Sequence, residues 1–220
     1  MGFRIPVSRL QRRACRTAAA LSILATAPLT AHAQDTTLAA RTMGSANAPV
    51  TVYEMADFQC PYCRDFAEQT FPTLRKDYVA TGKVRWIFIN FPIPSLHPNA
   101  TAAAEFAVCA SRQGKFWQAH NMLYDHQADW EKLPNPAPYF LSQAKGLGLR
   151  EPALDNCLNS KAPEKVIADD VAGAERSGAR STPTFYIEGG LLEGAQPLGV
   201  FEHILDSVYA VKSGRPAQKP

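Results

Sequence analysis

Val50-Thr51-Val52-Tyr53-Glu54-Met55-Ala56-Asp57-Phe58-Gln59-Cys60-Pro61-Tyr62-Cys63 begins as an apolar run and ends in two cysteines spaced by two residues. Val50 to Ala56 reads as a buried strand, and the residues from Asp65 to Tyr78 have helical spacing. A strand that delivers two cysteines to the first turn of a helix is suited to thiol–disulfide exchange. Pro61 fits the first helical position, where a missing N–H has no helical partner to lose. Cys60 then sits at the positive end of the helix dipole, which favours its thiolate and lowers its pKa below the usual value of about 8.5. Cys63, three residues on, lies within reach of Cys60 and on the more buried side. Cys60 is thus the candidate attacking thiolate, and Cys63 the resolving thiol that releases a mixed disulfide.

Upstream, Arg4, Arg9, Arg12, Arg13 and Arg16 precede an apolar run from Thr17 to Leu29, followed by Ala31-His32-Ala33. This reads as a secretory signal peptide over 1–33, cleaved after Ala33. Its apolar segment is shorter than the roughly 20 residues that span a bilayer. Arg12-Arg13 hints at twin-arginine export, but the residues that follow fit poorly. The whole chain has 23 basic and 20 acidic residues, and the leader holds five Arg and no acid, which leaves 18 against 20. The mature chain is therefore slightly acidic, and nothing in it suggests nucleic acid. Its 220 − 33 = 187 residues suit one domain, with or without a large insertion.

Export places the cysteines outside the reducing cytosol. Cys15 leaves with the leader, and four remain: Cys60, Cys63, Cys109 and Cys157. An even number in an exported protein reads as two pairs. Adjacency pairs Cys60 with Cys63, so Cys109 pairs with Cys157. Neither of the latter lies in a Cys-x-x-Cys or at a helix start, so a structural staple is preferred over a second redox pair. Closing that loop stabilises by about 4 kcal/mol in the chain-entropy view.

Along the chain, 34–48 is small and polar, a tail leading into the domain. A helix is expected over Cys60–Thr81, with Phe66, Phe71 and Leu74 inward, a kink at Pro72 and an end at Gly82. Val84 to Phe91 is a second strand. Strand, helix and strand of this length imply a right-handed crossover and parallel pairing. Helices follow at Ala100–Arg112, around Phe116–Tyr124, and at Tyr139–Ala144, Glu151–Leu158 and Pro163–Arg176. Strand character returns at Thr184–Glu188, with Gly189-Gly190 as a hairpin turn and Leu191–Ala195 pairing back. An amphipathic helix over Leu198–Val211 closes the pattern.

This order, with Cys60-Pro61-Tyr62-Cys63 and the later Ser181-Thr182-Pro183-Thr184-Phe185, resembles the DsbA-like periplasmic thiol–disulfide oxidoreductases. Asp57-Phe58-Gln59-Cys60-Pro61-Tyr62-Cys63 matches that family's active-site run. Gly114-Lys115-Phe116-Trp117 followed by His120 matches a further segment. The resemblance covers almost all of the mature chain. It implies an α/β thioredoxin fold with an inserted all-helical subdomain: a domain over 49–220, with 95–175 as the insertion. It also implies a cis peptide bond before Pro183, on a loop facing the cysteines, with the Thr182 backbone free to pair with a substrate strand.

The candidate catalytic set is Cys60, Cys63, Pro61, Tyr62, Pro183, Thr182 and Glu54. Some family members carry a buried acid at the position of Glu54, with a basic partner on the neighbouring strand. Here Trp86 takes the partner's place and Arg85 points to the other face; alternatively, Glu54 simply reaches solvent at a strand end. Strongly oxidising members have His where this chain has Tyr62. A phenol cannot act as a cation beside the thiolate, so a milder oxidant is expected.

His97, near a helix start, either faces the cysteines or is a solvated or capping residue. His120 shares a face with Phe116, Trp117 and Leu123, as a hydrogen-bonded core histidine would. Phe58, Tyr62, Phe91, Pro92 and Leu191 are candidates for an apolar rim around Cys60 that takes unfolded polypeptide, with ordinary core and strand-end packing as the alternative, preferred for Phe91. The leading function is introduction of disulfides into reduced exported polypeptides. The resemblance implies re-oxidation by a membrane partner that passes electrons to quinone. No cofactor, metal or nucleic acid is expected, and a periplasmic monomer is. A disulfide isomerase or reductase is the alternative; a metal chaperone using the two cysteines is a remoter one.

Overall fold

The computed structural model describes residues 1–2 and 36–214, so the leader and the closing residues 215–220 lie outside the described residues. A short helix, α1 (Thr36–Ala40), leads into strand β1 (Thr42–Met43). The central strand β2 (Val50–Ala56) follows, then the helical stretch carrying the cysteines, then β3 (Val84–Asn90). That stretch starts as α2 (Pro61–Asp65), widens into a π-helical turn at Phe66–Thr70, resumes as α3 (Phe71–Leu74) and widens again at Arg75–Val79. The kink expected at Pro72 takes the form of the first π turn. The proline ring clashes with the carbonyl four residues back and offers it no N–H, and a wider turn relieves both problems.

Between β3 and β4 (Thr184–Ile187) lie α4 (Ala100–Ser111), α5 (Phe116–Asp125), α6 (Gln127–Trp130), α7 (Ala137–Ala144), α8 (Glu151–Leu158) and α9 (Ala162–Ser177). Strand β5 (Gly190–Glu193) and helix α10 (Leu198–Ser213) complete the fold. The five strands are ordered β1-β3-β2-β4-β5. Only β2 and β3 run parallel, as the intervening crossover requires; β1, β4 and β5 are antiparallel to their neighbours.

One sheet face buries Val50, Val52, Trp86 and Phe185 against Phe66, Phe71 and Leu74 of the cysteine-bearing stretch and Phe201 and Leu205 of α10. The other presents Met55 to Ala174 of α9. The inserted helices have their own core around α4, built from Ala103, Phe106, Ala107 and Val108, and Phe58 and Phe88 reach into it from the sheet. Cys109 on α4 and Cys157 on α8 are joined by a disulfide within that core.

Two local readings are corrected. Ile187 pairs with Gly190, so the hairpin's central residues are Glu188 and Gly189 rather than Gly189 and Gly190. Both have positive φ, 46° and 98°, the pattern of a type I′ turn. Glu188 tolerates it because its carboxylate is engaged, accepting Thr51 N–H at 2.9 Å and pairing with Lys212 at 2.5 Å. The 34–48 segment, read as a tail, carries α1 and the edge strand β1. Arg41 between them is fully buried, donating to Phe88 O at 3.2 Å and pairing with Asp170 on α9. A single arginine in a polar stretch gives no sign of such burial.

Candidate active site

Cys60 occupies the N-cap of α2 with extended backbone, and Pro61 follows at the first helical position. Both thiols are free and buried; Cys60 keeps 4% of its surface and Cys63 none. Cys60 Sγ lies 3.4 Å from the carbonyl oxygen of Thr182, the residue before a cis peptide bond to Pro183. On the other side, the Asp57 backbone N–H donates to Cys63 Sγ at 3.5 Å.

The two sulfurs are electrostatically unlike. The Cys60 pKa falls from 9.0 to about 6, chiefly because the Cys63 thiol donates to its thiolate. Burial works against this, while the Thr182 side chain and the backbone N–H groups of Cys63 and Tyr62 reinforce it. The helix-end argument thus supplies a lesser contribution, and the neighbouring thiol the main one. Cys63 is pushed well above its ordinary 9.0 by burial, and further by the Cys60 charge. At pH 7 Cys60 is roughly nine-tenths thiolate and Cys63 stays protonated. Thiolate ultraviolet absorbance of the reduced protein is therefore expected to rise in a single step centred near pH 6. A step near 8.5, or two overlapping steps, would contradict this electrostatic picture.

Glu54 is fully buried, which excludes the solvent-facing alternative. Its Oε2 accepts Trp86 Nε1–H at 2.7 Å, and its Oε1 has no hydrogen-bond partner. Burial raises its pKa from 4.5 to about 7, and the Trp86 bond only partly opposes that. Burial pushes the Tyr124 phenol on α5 up, the charges of Cys63, Glu54, Asp57 and Cys60 push it further, and its hydroxyl donates to Asp57 O at 3.4 Å.

Of the proposed apolar rim, Tyr62 is 65% exposed, but Phe58, Phe91 and Pro92 are buried. Phe58 stacks on Phe88 and belongs to the core of the inserted helices. Leu191 is exposed, but it pairs with Tyr186 and through it shares a sheet face with Tyr53, mid-sheet rather than at the Cys60 end. Leu96, not foreseen, is 70% exposed on the loop after β3. His120 is a buried core histidine whose pKa is lowered to about 4 by burial; Nδ1 lies 2.9 Å from Asn121 Oδ1.

A set of amides, absent from the sequence reading, fixes the cysteine loop to the inserted helices. Gln127 Nε2 donates to the carbonyls of Phe58 and Cys60, at 2.8 and 3.2 Å. Gln59 donates to Glu131 O and accepts Asn99 N–H at 2.6 Å. Asn99 in turn donates to the carbonyls of Trp130, Glu131 and Leu133. No motif marks Asn99 or Gln127, and although Gln59 lies in the matched active-site run, only the fold shows that all three are buried, which is a tertiary property. Among the described residues there is no group of three or more His, Cys, Asp or Glu placed to hold a metal, and no helix long and apolar enough to cross a membrane.

The thioredoxin family profile matches residues 36–207. A sodium/proton antiporter, NhaA 1 of Salinispora arenicola, is 34% identical over 173 residues, covering 79% of this chain but 25% of the antiporter. The chain thus spans about a quarter of the length of that relative. A Bacillus cereus protein named "Probable disulfide bond formation protein D" is 29% identical over 156 residues, covering 69% of this chain and 71% of the relative. The crystal structure of Wolbachia pipientis alpha-DsbA1 superposes with a TM-score of 0.69 at 23% identity, covering 79% of this chain and 92% of that one. The chain belongs to the thioredoxin family, and its fold, inserted helices included, is similar to that of the DsbA structure.

Proposed function

We propose that this protein is a dithiol oxidase that introduces disulfides into reduced, exported polypeptides. The observation that carries this is the contrast between a Cys60 pKa of about 6 and a Cys63 held well above 9.0. A stabilised Cys60 thiolate favours the reduced enzyme, so the oxidised enzyme gives its disulfide away. Tyr62 and Leu96, both exposed, offer apolar surface near the cysteine loop without side-chain selectivity, as suits unfolded chain. The site residues are Cys60 as the sulfur attacked by substrate, Cys63 as its partner, and Thr182 with Pro183 as the surface facing the mixed disulfide. Pro61 and Tyr62 shape the helix start. The leader read from the sequence supports a periplasmic site of action, and the resemblance implies a membrane partner that re-oxidises the protein with quinone as the electron sink; the protein acts as a monomer.

Equilibration with glutathione tests this. The Cys60 pKa lies above the about 3.5 of the strongest oxidant, so the expected potential is below about −120 mV yet well above the about −270 mV of thioredoxin. A value at the thioredoxin end would reverse the flow and make the protein a reductase or isomerase supplied with electrons.

A further inference from the structure

The Asp57 carboxylate is buried, and each of its oxygens is engaged. Oδ1 accepts Gln59 N–H at 2.7 Å; Oδ2 accepts Ile93 N–H at 2.8 Å and lies 2.8 Å from His97 Nδ1. A carboxylate oxygen only accepts, so Nδ1 carries the hydrogen toward Asp57. His97 is partly open to solvent, its side chain 18% exposed, whereas the Asp57 side chain is sealed. The Asp57 backbone meets the redox pair directly: its N–H donates to Cys63 Sγ at 3.5 Å, and its carbonyl accepts Cys60 N–H at 3.1 Å. Cys63 in turn donates to the Cys60 thiolate. The hydrogen bonds therefore run from Asp57 N–H to the Cys63 thiol to the Cys60 sulfur, and each bond polarises the next.

We propose that His97 is a positioning residue for the redox pair: by holding the Asp57 carboxylate it aims the Asp57 N–H at Cys63 and so sets the oxidising strength of Cys60–Cys63. This role rests on the exchange reaction proposed above. His97 acts from outside the Cys-Pro-Tyr-Cys quartet, 34 residues beyond Cys63, in a protein whose quartet carries tyrosine rather than histidine. Two effects act in one direction. Without His97 the Asp57 side chain loses an anchor, and the chain of bonds ending on Cys60 loosens. Without the imidazole hydrogen, less positive potential offsets the Asp57 charge, whose field already reaches Cys63. Tyr124 on α5 feels the charges of Glu54 on β2 and of Cys60 and Cys63 at α2, and the His120 ring packs 4.9 Å from its own. The His120 pKa is lowered to about 4, so it supplies no positive charge here at pH 7 in place of His97.

The test compares wild type, His97→Leu and His97→Asn for two quantities: the thiolate titration of Cys60 and the equilibrium constant with glutathione. Asparagine can place an N–H where imidazole Nδ1 stands. For His97→Leu the expected result is a Cys60 pKa raised by about one unit. That makes the disulfide roughly five-fold less oxidising at pH 7, about 20 mV at 29.6 mV per tenfold. For His97→Asn most of the loss is expected to be recovered. A Cys60 pKa and glutathione constant unchanged in His97→Leu, with unfolding the only property altered, would overturn the proposal. So would an equal loss in both variants, because the hydrogen bond would then not be what matters. If wild-type protein itself shows no Cys60 thiolate step and no glutathione equilibrium, the exchange reading fails instead.

Discussion

Replacing Cys60 by serine is expected to reduce oxidation of a dithiol substrate to the uncatalysed rate, whereas Cys63→Ser, which cannot form the Cys60–Cys63 disulfide, should hold substrate on Cys60 once that sulfur is activated from outside. In the oxidised enzyme a substrate thiolate attacks Cys60 Sγ. The Cys60–Cys63 bond breaks, a substrate–Cys60 disulfide forms, and Cys63 departs with the bonding pair and takes a proton. A second substrate thiolate then attacks the first substrate sulfur and expels the Cys60 thiolate. The substrate has lost two electrons and the enzyme has gained them. Attack is directed to Cys60 because Cys60 retains some surface and adjoins the Thr182 carbonyl, while Cys63 is sealed. The better leaving group on the return is Cys60, since its pKa is about 6. Activated in advance as a mixed disulfide with a small thiol, Cys63→Ser should exchange that thiol for a substrate carrying a single cysteine and keep the substrate on Cys60, visible by non-reducing gel and mass. The Cys60→Ser variant should form none. Adducts on Cys63 in the Cys60→Ser variant would invert the assignment.

Much of this arrangement is legible in the chain because it is carried by local signals. An apolar strand running into Cys-Pro-x-Cys gives β2 and α2, and the Ser-Thr-Pro-Thr-Phe run gives the loop opposite. What stays hidden is determined by packing between distant segments. Arg41, Gln59, Asn99 and Gln127 are polar residues in polar contexts, and the sequence offers no reason to bury them. Each is drawn in by backbone carbonyls or side-chain acceptors that the fold brings within reach, Phe88 O and Asp170 for Arg41, Glu131 O for Gln59, Trp130 O for Asn99 and Phe58 O for Gln127. His97 was read as an open choice between the site and solvent, because only the fold brings the loop after β3 back onto Asp57. Phe58, a rim candidate, is drawn into a core because the inserted helices cover the end of β2, and Phe91 packs in a core with Met55 and Ala174, the preferred alternative for that residue. The hairpin slipped by one residue for a related reason: two consecutive glycines look like the turn, yet the Glu188 carboxylate, held by Thr51 and Lys212, stabilises a positive φ one residue earlier.

Glu54→Gln is expected to change the pH dependence of stability by about 3 kcal/mol. The Glu54 carboxyl binds its proton more tightly folded, at about 7, than its ordinary value of 4.5. Folding thus takes up a proton in that window, and stability is lost as pH rises from about 4.5 to 7 and is not regained above it. At about 1.4 kcal/mol per unit the loss totals about 3 kcal/mol, or roughly 6–12 °C in Tm for a domain of this size. Glutamine keeps an acceptor for Trp86 Nε1–H but has no charge to bury. Its NH2 group, placed where Oε1 now lacks a partner, costs about 1–3 kcal/mol at every pH and so drops out of the comparison. The measurement is urea unfolding of the oxidised protein, whose disulfide removes the Cys60 titration, at pH 5 and pH 8. The variant should gain on wild type by about 3 kcal/mol between the two. Parallel curves would mean that Glu54 is not the buried acid described.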